Sequence, residues 1–287
     1  MKDARITSGK GQRAAGPSLD EQTFESLRRR ITMSSGIFVP TDDNSRFVLE
    51  RRLAPRLRFR GVTSFYDYER NLDEQEMELM LDAVAIHETY FFREGRQLKA
   101  FAGHVLPELA KLGRPINIWS AGCSTGEEAY TIAMLLAEGG LLDRGRVLAS
   151  DLSRRVIEVG RLGLYGPSSF RTTDDRYKGR YFCESRRGMW SVCDSIRDSV
   201  TFEQFNLIEL NRQLDLAREP AGSGFDVIFC RNVLMYFDDE SSRETVRSFH
   251  SLLAPGGFLL LGHAESLLPY GTGFKPVQIG HELIYRK

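Results

Sequence analysis

A run of β-forming residues, Ile116-Asn-Ile-Trp-Ser120, passes through Ala-Gly-Cys-Ser-Thr-Gly into Glu127-Glu128 and a helical pattern from Ala129 to Ala137. A strand that turns on glycine straight into a helix is the opening unit of a doubly wound α/β sheet, whose ligands bind at the carboxyl ends of the strands. The remainder keeps this rhythm. Val147–Asp151 reads as a second strand ending in an acid, with a helix from Ser153. Asp226–Cys230 reads as a buried strand, and Phe258–Leu261 as another after the turn Pro255-Gly256-Gly257. Phe274 to Arg286 reads as two strands around Gly280. Strands alternating with helices predict a mostly parallel sheet. Tyr177 to Val200 breaks the pattern with short β-like runs around Arg186-Arg187-Gly188, which predicts an inserted β-subdomain over about 177–200.

Upstream the pattern is helical. Leu49, Leu53 and Leu57 form an apolar stripe at four-residue spacing, and Met77, Met80, Leu81 and Val84 form a second. Pro55 lies inside the first pattern and is expected to kink it or start a new helix. These features predict a helical domain over 21–93 and an α/β domain over 94–287. The first 20 residues, rich in Gly, Ser, Lys and Arg without periodicity, are expected to be a disordered leader.

Charge excludes some functions. Lys plus Arg number 39 and Asp plus Glu 39, so the formal net charge is zero. A nucleic-acid-coating protein depends on excess cations, so no nucleic-acid partner is expected. Locally the balance differs: residues 24–60 carry nine Arg against four acids, a net of 9 − 4 = +5. Such a run is either a solvated helix face or a docking face for an acidic protein surface. The densest apolar run, Phe225–Phe237, is interrupted by Asp226, Arg231 and Asn232, so membrane insertion is not expected. Residues 1–20 hold no apolar segment of signal-peptide length, which implies a cytoplasmic protein. Cys123, Cys183, Cys193 and Cys230 form no Cys-x-x-Cys pair and have no His at zinc-site spacing, so reduced thiols and no metal are expected.

The turn itself selects the ligand. Only Gly122 and Gly126 are present, so the dinucleotide pattern Gly-x-Gly-x-x-Gly is incomplete. The Lys-Ser/Thr of a phosphate-binding loop is replaced by Glu127-Glu128. Two carboxylates in the first helical turn suit the macrodipole but repel a phosphate seated there. A ligand with an adenosine and a cationic end fits, and S-adenosylmethionine is such a ligand. Asp151 stands where ribose hydroxyls need an acceptor. It also stands where it would cap the next helix, and the two roles are equally compatible with its position. Asn206-Leu207 and Arg231-Asn232 fall at predicted carboxyl ends of strands.

Five blocks then resemble one family: Arg51-Arg-Leu-x-x-Arg-Leu-Arg58, Glu88-Thr-x-Phe-Phe-Arg-Glu94, Ile118–Glu128, Phe225–Phe237 and Pro255-Gly-Gly257. Together, in order and spacing, they resemble the chemotaxis receptor methyltransferases of the CheR type from about Phe24 onward. The resemblance implies a class I S-adenosylmethionine-dependent methyltransferase with an N-terminal helical domain and an inserted small β-subdomain. It implies conversion of receptor glutamates into methyl esters, with S-adenosylhomocysteine as product and the cytoplasmic domain of chemotaxis-type receptors as partner. It also implies a cofactor-covering segment containing Thr89 and Arg93, with His87 where the family usually has Asn. By the same resemblance Glu128, with Glu127 as rival, meets the methionine end. Asp151 takes the ribose, Asn206-Leu207 the adenine edge, and Arg231-Asn232 the floor beneath the sulfonium.

A glutamate carboxylate is ionised at pH 7, its ordinary pKa being about 4.3, so no general base is required. Orientation falls to Arg93, which can pair with a carboxylate, and Tyr236, which can donate a hydrogen bond. Tyr236 in the run Val-Leu-Met-Tyr-Phe also fits a plain core aromatic. Two other readings use the same core: a non-catalytic S-adenosylmethionine-sensing scaffold, and a methyltransferase acting on another substrate. A dinucleotide-dependent oxidoreductase ranks below both.

Overall fold

The computed structural model describes residues 17–185, 188–210 and 224–287. Residues 1–16, most of the expected leader, and the turn residues Arg186-Arg187 lie outside the described residues, as do 211–223. The chain divides into two compact units. One contains residues up to Arg29 together with Val39–Val84, and the other contains Arg30–Phe38 with Ala85–Lys287.

The first unit is helical. Helix α2, Asp43–Arg60, is capped by Asp42, whose side chain accepts from Ser45 N–H at 2.9 Å, and ends on Gly61 at φ +66°. Leu49, Leu53 and Leu57 are its buried stripe. The helix runs through Pro55, contrary to the expected restart. Pro55 and Arg51, the residue whose carbonyl it cannot serve, are both on the exposed side, where a missing backbone bond costs least. Helices α3, Phe65–Arg70, and α4, Glu74–Val84, supply Phe65, Tyr68, Met80, Leu81 and Val84 to the core. Arg56 does not belong to a free cationic face. Its guanidinium grips buried Glu76 at 2.9 and 2.6 Å, and Tyr68 donates to the same carboxylate at 2.7 Å. Burial pushes Glu76 up, but Arg56 and Tyr68 outweigh it and hold the carboxyl below its ordinary range. Arg60 is likewise engaged by Asp73, whereas Arg51 and Arg58 are exposed.

The second unit is built on a seven-stranded sheet of order β6-β2-β1-β7-β8-β10-β9. Its strands are β1 Ile116–Ala121, β2 Gly145–Asp151, β6 Val200–Gln204, β7 Phe225–Cys230, β8 Leu253–Leu261, β9 Lys275–Ile279 and β10 Glu282–Arg286. Neighbours from β6 to β8 pair in parallel, and β10 runs against both β8 and β9. Alternation along the strands feeds two cores. Ile116, Ile118, Val227, Phe229, Phe258 and Leu260 pack on one side, and Trp119, Ala121, Ile228, Cys230, Leu259 and Leu261 on the other. Being buried on both faces is why these strands read as continuous apolar runs.

A second, three-stranded sheet has the order β3-β5-β4, with β3 Leu164–Tyr165, β4 Phe182–Glu184 and β5 Trp190–Val192. It therefore draws on residues upstream of the expected insert. Residues 85–93, expected in the helical domain, belong to the second unit. The reason is aromatic packing: the ring of Phe91 lies 4.8–5.2 Å from those of Tyr165, Phe170 and Phe182. Among the described residues no helix is long and apolar enough to cross a membrane.

Candidate active site

The turn between β1 and helix α7, Glu127–Glu138, requires both glycines. Gly122 has φ +80°, and a Cβ there would lie 2.5 Å from Val233 Cγ2. Gly126 has φ +94°, with the Phe202 ring 2.9 Å from a built Cβ. The N–H groups of Gly122 and Cys123 both donate to Ser150 O at 2.8 Å, which ties the turn to the end of β2. Next to them, Ser124 N–H donates to Asp151 Oδ2 at 2.9 Å, and its hydroxyl donates to the His87 carbonyl at 3.0 Å. Asp151 Oδ1 accepts from Ser153 N–H at 3.0 Å. His87, the glycine turn and Asp151 are thus one hydrogen-bonded group.

The two adjacent acids diverge because successive helical residues point about 100° apart. Glu127 is buried, and its carboxylate accepts from Thr125 Oγ1 at 2.6 Å and Ser169 Oγ at 2.9 Å. Burial raises its pKa. Glu128 turns to the strand ends instead. It accepts from Ser120 Oγ at 2.6 Å and from Arg231 Nη1 at 3.0 Å.

Arg231 is the hub of a second group. Its side chain is 2% exposed. Besides Glu128 it donates from Nη2 to the Arg93 carbonyl at 2.7 Å and to Glu94 Oε2 at 3.1 Å, while its buried Nε has no partner among the described residues. Asn232 Nδ2 donates to Glu94 Oε1 at 3.1 Å, and His263 reaches the same carboxylate from its backbone N–H at 3.2 Å and Nδ1 at 2.8 Å. Burial pushes the Glu94 carboxyl up, but Arg231 and these hydrogen bonds pull it down to about 2. Two carboxylates on one guanidinium leave the group at −2 + 1 = −1.

Glu265 accepts four backbone N–H groups, from Asn232 at 2.8 Å, Val233 at 2.9 Å, Met235 at 3.1 Å and Gly262 at 2.7 Å. It thereby holds the loop after β7 that leads into the 3₁₀ turn Leu234–Tyr236. The described residues with positive φ other than glycine are Phe92 (59°), Glu94 (55°), Ser124 (50°) and Asn232 (59°), and all four lie in this site. The left-handed conformation costs a non-glycine residue roughly 1–2 kcal/mol, and such strain persists where the surroundings impose it.

A family model described as CheR methyltransferase, SAM binding domain, matches residues 87–282. The chain belongs to the CheR methyltransferase family. Chemotaxis protein methyltransferase 2 of Vibrio cholerae is 34% identical over 87% of this chain and 87% of its own length. Chemotaxis protein methyltransferase 1 of Pseudomonas aeruginosa is 31% identical, covering 92% and 97%. The Escherichia coli chemotaxis protein methyltransferase is 33% identical, covering 87% and 86%. Family membership makes this chain a methyltransferase that uses S-adenosylmethionine.

The residues around the turn suit that cofactor. A cluster of charge −1 matches a ligand carrying an ammonium, a sulfonium and one carboxylate, and the Arg231 Nε–H is a donor still lacking an acceptor. A pyrophosphate would instead meet Glu128, Glu94 and Asp151.

Of the residues singled out in the sequence, Arg93, Glu128, Arg231 and Asn232 meet in the arginine group, and His87 and Asp151 meet through Ser124. Asn206 and Tyr236 are joined to the segment 34–38 instead. Asn206 Nδ2 donates to Ser34 O at 2.8 Å, and Phe38 N–H donates to Tyr236 O at 2.7 Å. With its amide so engaged, and its Oδ1 accepting from Ile208 N–H at 3.4 Å, Asn206 presents backbone rather than side chain at the end of β6. Leu207 is buried beside it, and Thr89 is half-buried two residues from His87. Arg93 donates to the Glu88 carbonyl at 2.8 Å and stands 5.8 Å from the Tyr90 ring. Glu94, His263 and Glu265 were missed. Glu94 lies within a matched block and Glu265 follows the end of β8, a position from which ligand-site residues commonly come.

Proposed function

We propose that this enzyme is a protein-glutamate O-methyltransferase that esterifies glutamates in the cytoplasmic domain of chemotaxis-type receptors, itself acting in the cytoplasm. The observation that carries the reading is the buried Arg231 group, with one more carboxylate than cation, beside the glycine turn. S-adenosylmethionine supplies the methyl group when bound. Glu128 serves its ammonium, Arg231 and Asn232 the floor, Asp151 the ribose, and the Asn206-Leu207 backbone the adenine. His87 and Thr89 cover the site.

The remaining work is orientation. The substrate carboxylate is already anionic and a weak nucleophile, so one oxygen must be held in line with the transferable carbon. Such positioning supplies roughly 7–11 kcal/mol in favourable cases. Arg93 pairs with the carboxylate and Tyr236 donates to it. Too tight a grip on the carboxylate would favour the ground state over the transition state and slow the attack. The helix Asp43–Arg60, through Arg51 and Arg58, receives acidic receptor helices.

Incubation with methyl-labelled cofactor and receptor-bearing membranes, followed by alkali, tests this. Volatile labelled methanol is expected, because esters hydrolyse in base. Label that stays on protein through alkali, or none transferred, overturns the reading.

A further inference from the structure

Arg93 occupies an unusual place in the backbone. The residues on both sides of it, Phe92 at φ 59° and Glu94 at φ 55°, are left-handed. Two left-handed residues around one right-handed or extended residue reverse the chain twice, so the direction of the Arg93 side chain depends on both being held. Phe92 is held through its N–H, which donates to Thr131 Oγ1 at 3.2 Å. Glu94 opens helix α5, Gly95–Ala100, without capping it. Its carboxylate is used instead across the site, on Arg231, Asn232 and the backbone N–H and Nδ1 of His263.

We propose that Glu94 is a positioning residue for methyl transfer: by holding Arg231, Asn232 and His263 together it fixes the left-handed turn that aims Arg93. The same contact links this turn to the cofactor acid. The guanidinium that Glu94 holds through Nη2 also takes the Arg93 carbonyl and, through Nη1, Glu128. One rigid cation therefore sets the distance between the group that orients the substrate and the group that meets the cofactor. This inference rests on the function proposed above.

Glu94→Gln keeps the shape and one carbonyl oxygen but removes the charge. Glu94→Gly removes the anchor while relieving the left-handed strain, so it separates anchoring from backbone preference. A misplacement near 1 Å can cost about 10²-fold in rate, and a loss of about that size in kcat is expected for both variants. The affinity for S-adenosylhomocysteine, read by calorimetry, is expected to fall by less than kcat does, because Glu128 is still present to meet the methionine end although the surplus negative charge is gone. A double-mutant cycle tests action through Arg93: in an Arg93→Ala background, Glu94→Gln should cost only a few-fold. Hydrogen exchange across residues 88–96 of the ligand-free protein should be faster in both variants.

The proposal fails if kcat is unchanged in Glu94→Gln, if the two substitutions multiply independently, or if exchange in this segment matches the wild type. The exchange arm needs no substrate. A wild-type enzyme that forms no ester overturns the proposed function, whereas unchanged exchange in the variants overturns only the role of Glu94.

Discussion

Arg56 with Glu76 and Arg231 with Glu94 and Glu128 are both buried clusters of arginine and carboxylate, and they do different work. In the first, Glu76, 2% exposed, meets Arg56 directly and Arg60 at 4.0 Å, Arg60 also pairs with Asp73, and Tyr68 takes a further lone pair. Two cations thus meet two anions, and every charge there is answered. In the second, one cation meets two anions, one guanidine N–H has no partner among the described residues, and three residues close by are left-handed. Burial and ion pairing are common to both; what sets the second apart is its surplus of negative charge and its left-handed residues.

The two clusters should differ most in their effect on stability. Arg56→Met should lower the unfolding free energy by up to roughly 3–5 kcal/mol, since it leaves buried Glu76 with only Arg60, 4.0 Å away, as its cation. Calorimetric affinity of the folded variant for S-adenosylhomocysteine should be unchanged. Adding Glu76→Met should restore much of the loss, because an apolar pair of similar volume often equals a buried ion pair. Glu128→Gln should do the reverse. Hydrogen bonds to charged groups contribute about 1.5–3 kcal/mol, so affinity should fall roughly 10- to 150-fold. Its melting temperature should not fall, because the substitution removes the surplus negative charge.

Tyr236→Phe should reduce turnover about tenfold or more, as expected for one lost hydrogen bond to a charged group, with cofactor affinity within about twofold. Parallel loss of both would assign Tyr236 to the core instead. Acid titration should report on both clusters. The Glu94 carboxyl lies at about 2 against an ordinary 4.5, so its contribution is present above pH 4.5 and is lost as pH falls towards 2. Glu76 is depressed and acts in the same direction, while the raised Glu127 opposes both. Denaturant titrations between pH 5 and 3 should show a shallower loss of stability in Glu94→Gln than in the wild type. The smallest effect belongs to the surface. Reversing Arg51 and Arg58 to Glu should change stability by less than about 0.5 kcal/mol for each site. It should nonetheless raise the receptor concentration needed for half-maximal methylation a few-fold and weaken its salt dependence. Arg56 is left out of that test because its charge is spent on Glu76.

The parallel sheet was legible because its strands are buried on both faces and end in recognisable turns: Gly122, Asp151 and Arg231-Asn232 stand where the pattern put them, whereas Pro255-Gly256-Gly257, read as a turn before the strand, lies inside β8 where its register with β7 shifts. The choice between Glu127 and Glu128 was not, since adjacent residues differ only by a rotation that Ser169 and Arg231 reveal. Arg56 looked like surface because its partner is twenty residues away on another helix. Glu94, inside a matched block, and Glu265, after β8, stood at suggestive positions, but their partners were hidden for the same reason at greater range. A carboxylate that meets Arg231 from 137 residues upstream, or four backbone N–H groups of a distant loop, leaves no periodicity or spacing to read.

His263 gives the buried cluster an outlet. Its side chain is 75% exposed, yet Nδ1 sits 2.8 Å from the carboxylate that secures Arg231. The imidazole is therefore a built-in spectroscopic window: its carbon-bound protons stand in solvent, while one ring nitrogen senses every rearrangement of the interior. Resonances of this single ring should report arrival and departure of the methyl donor without any label being placed in the pocket.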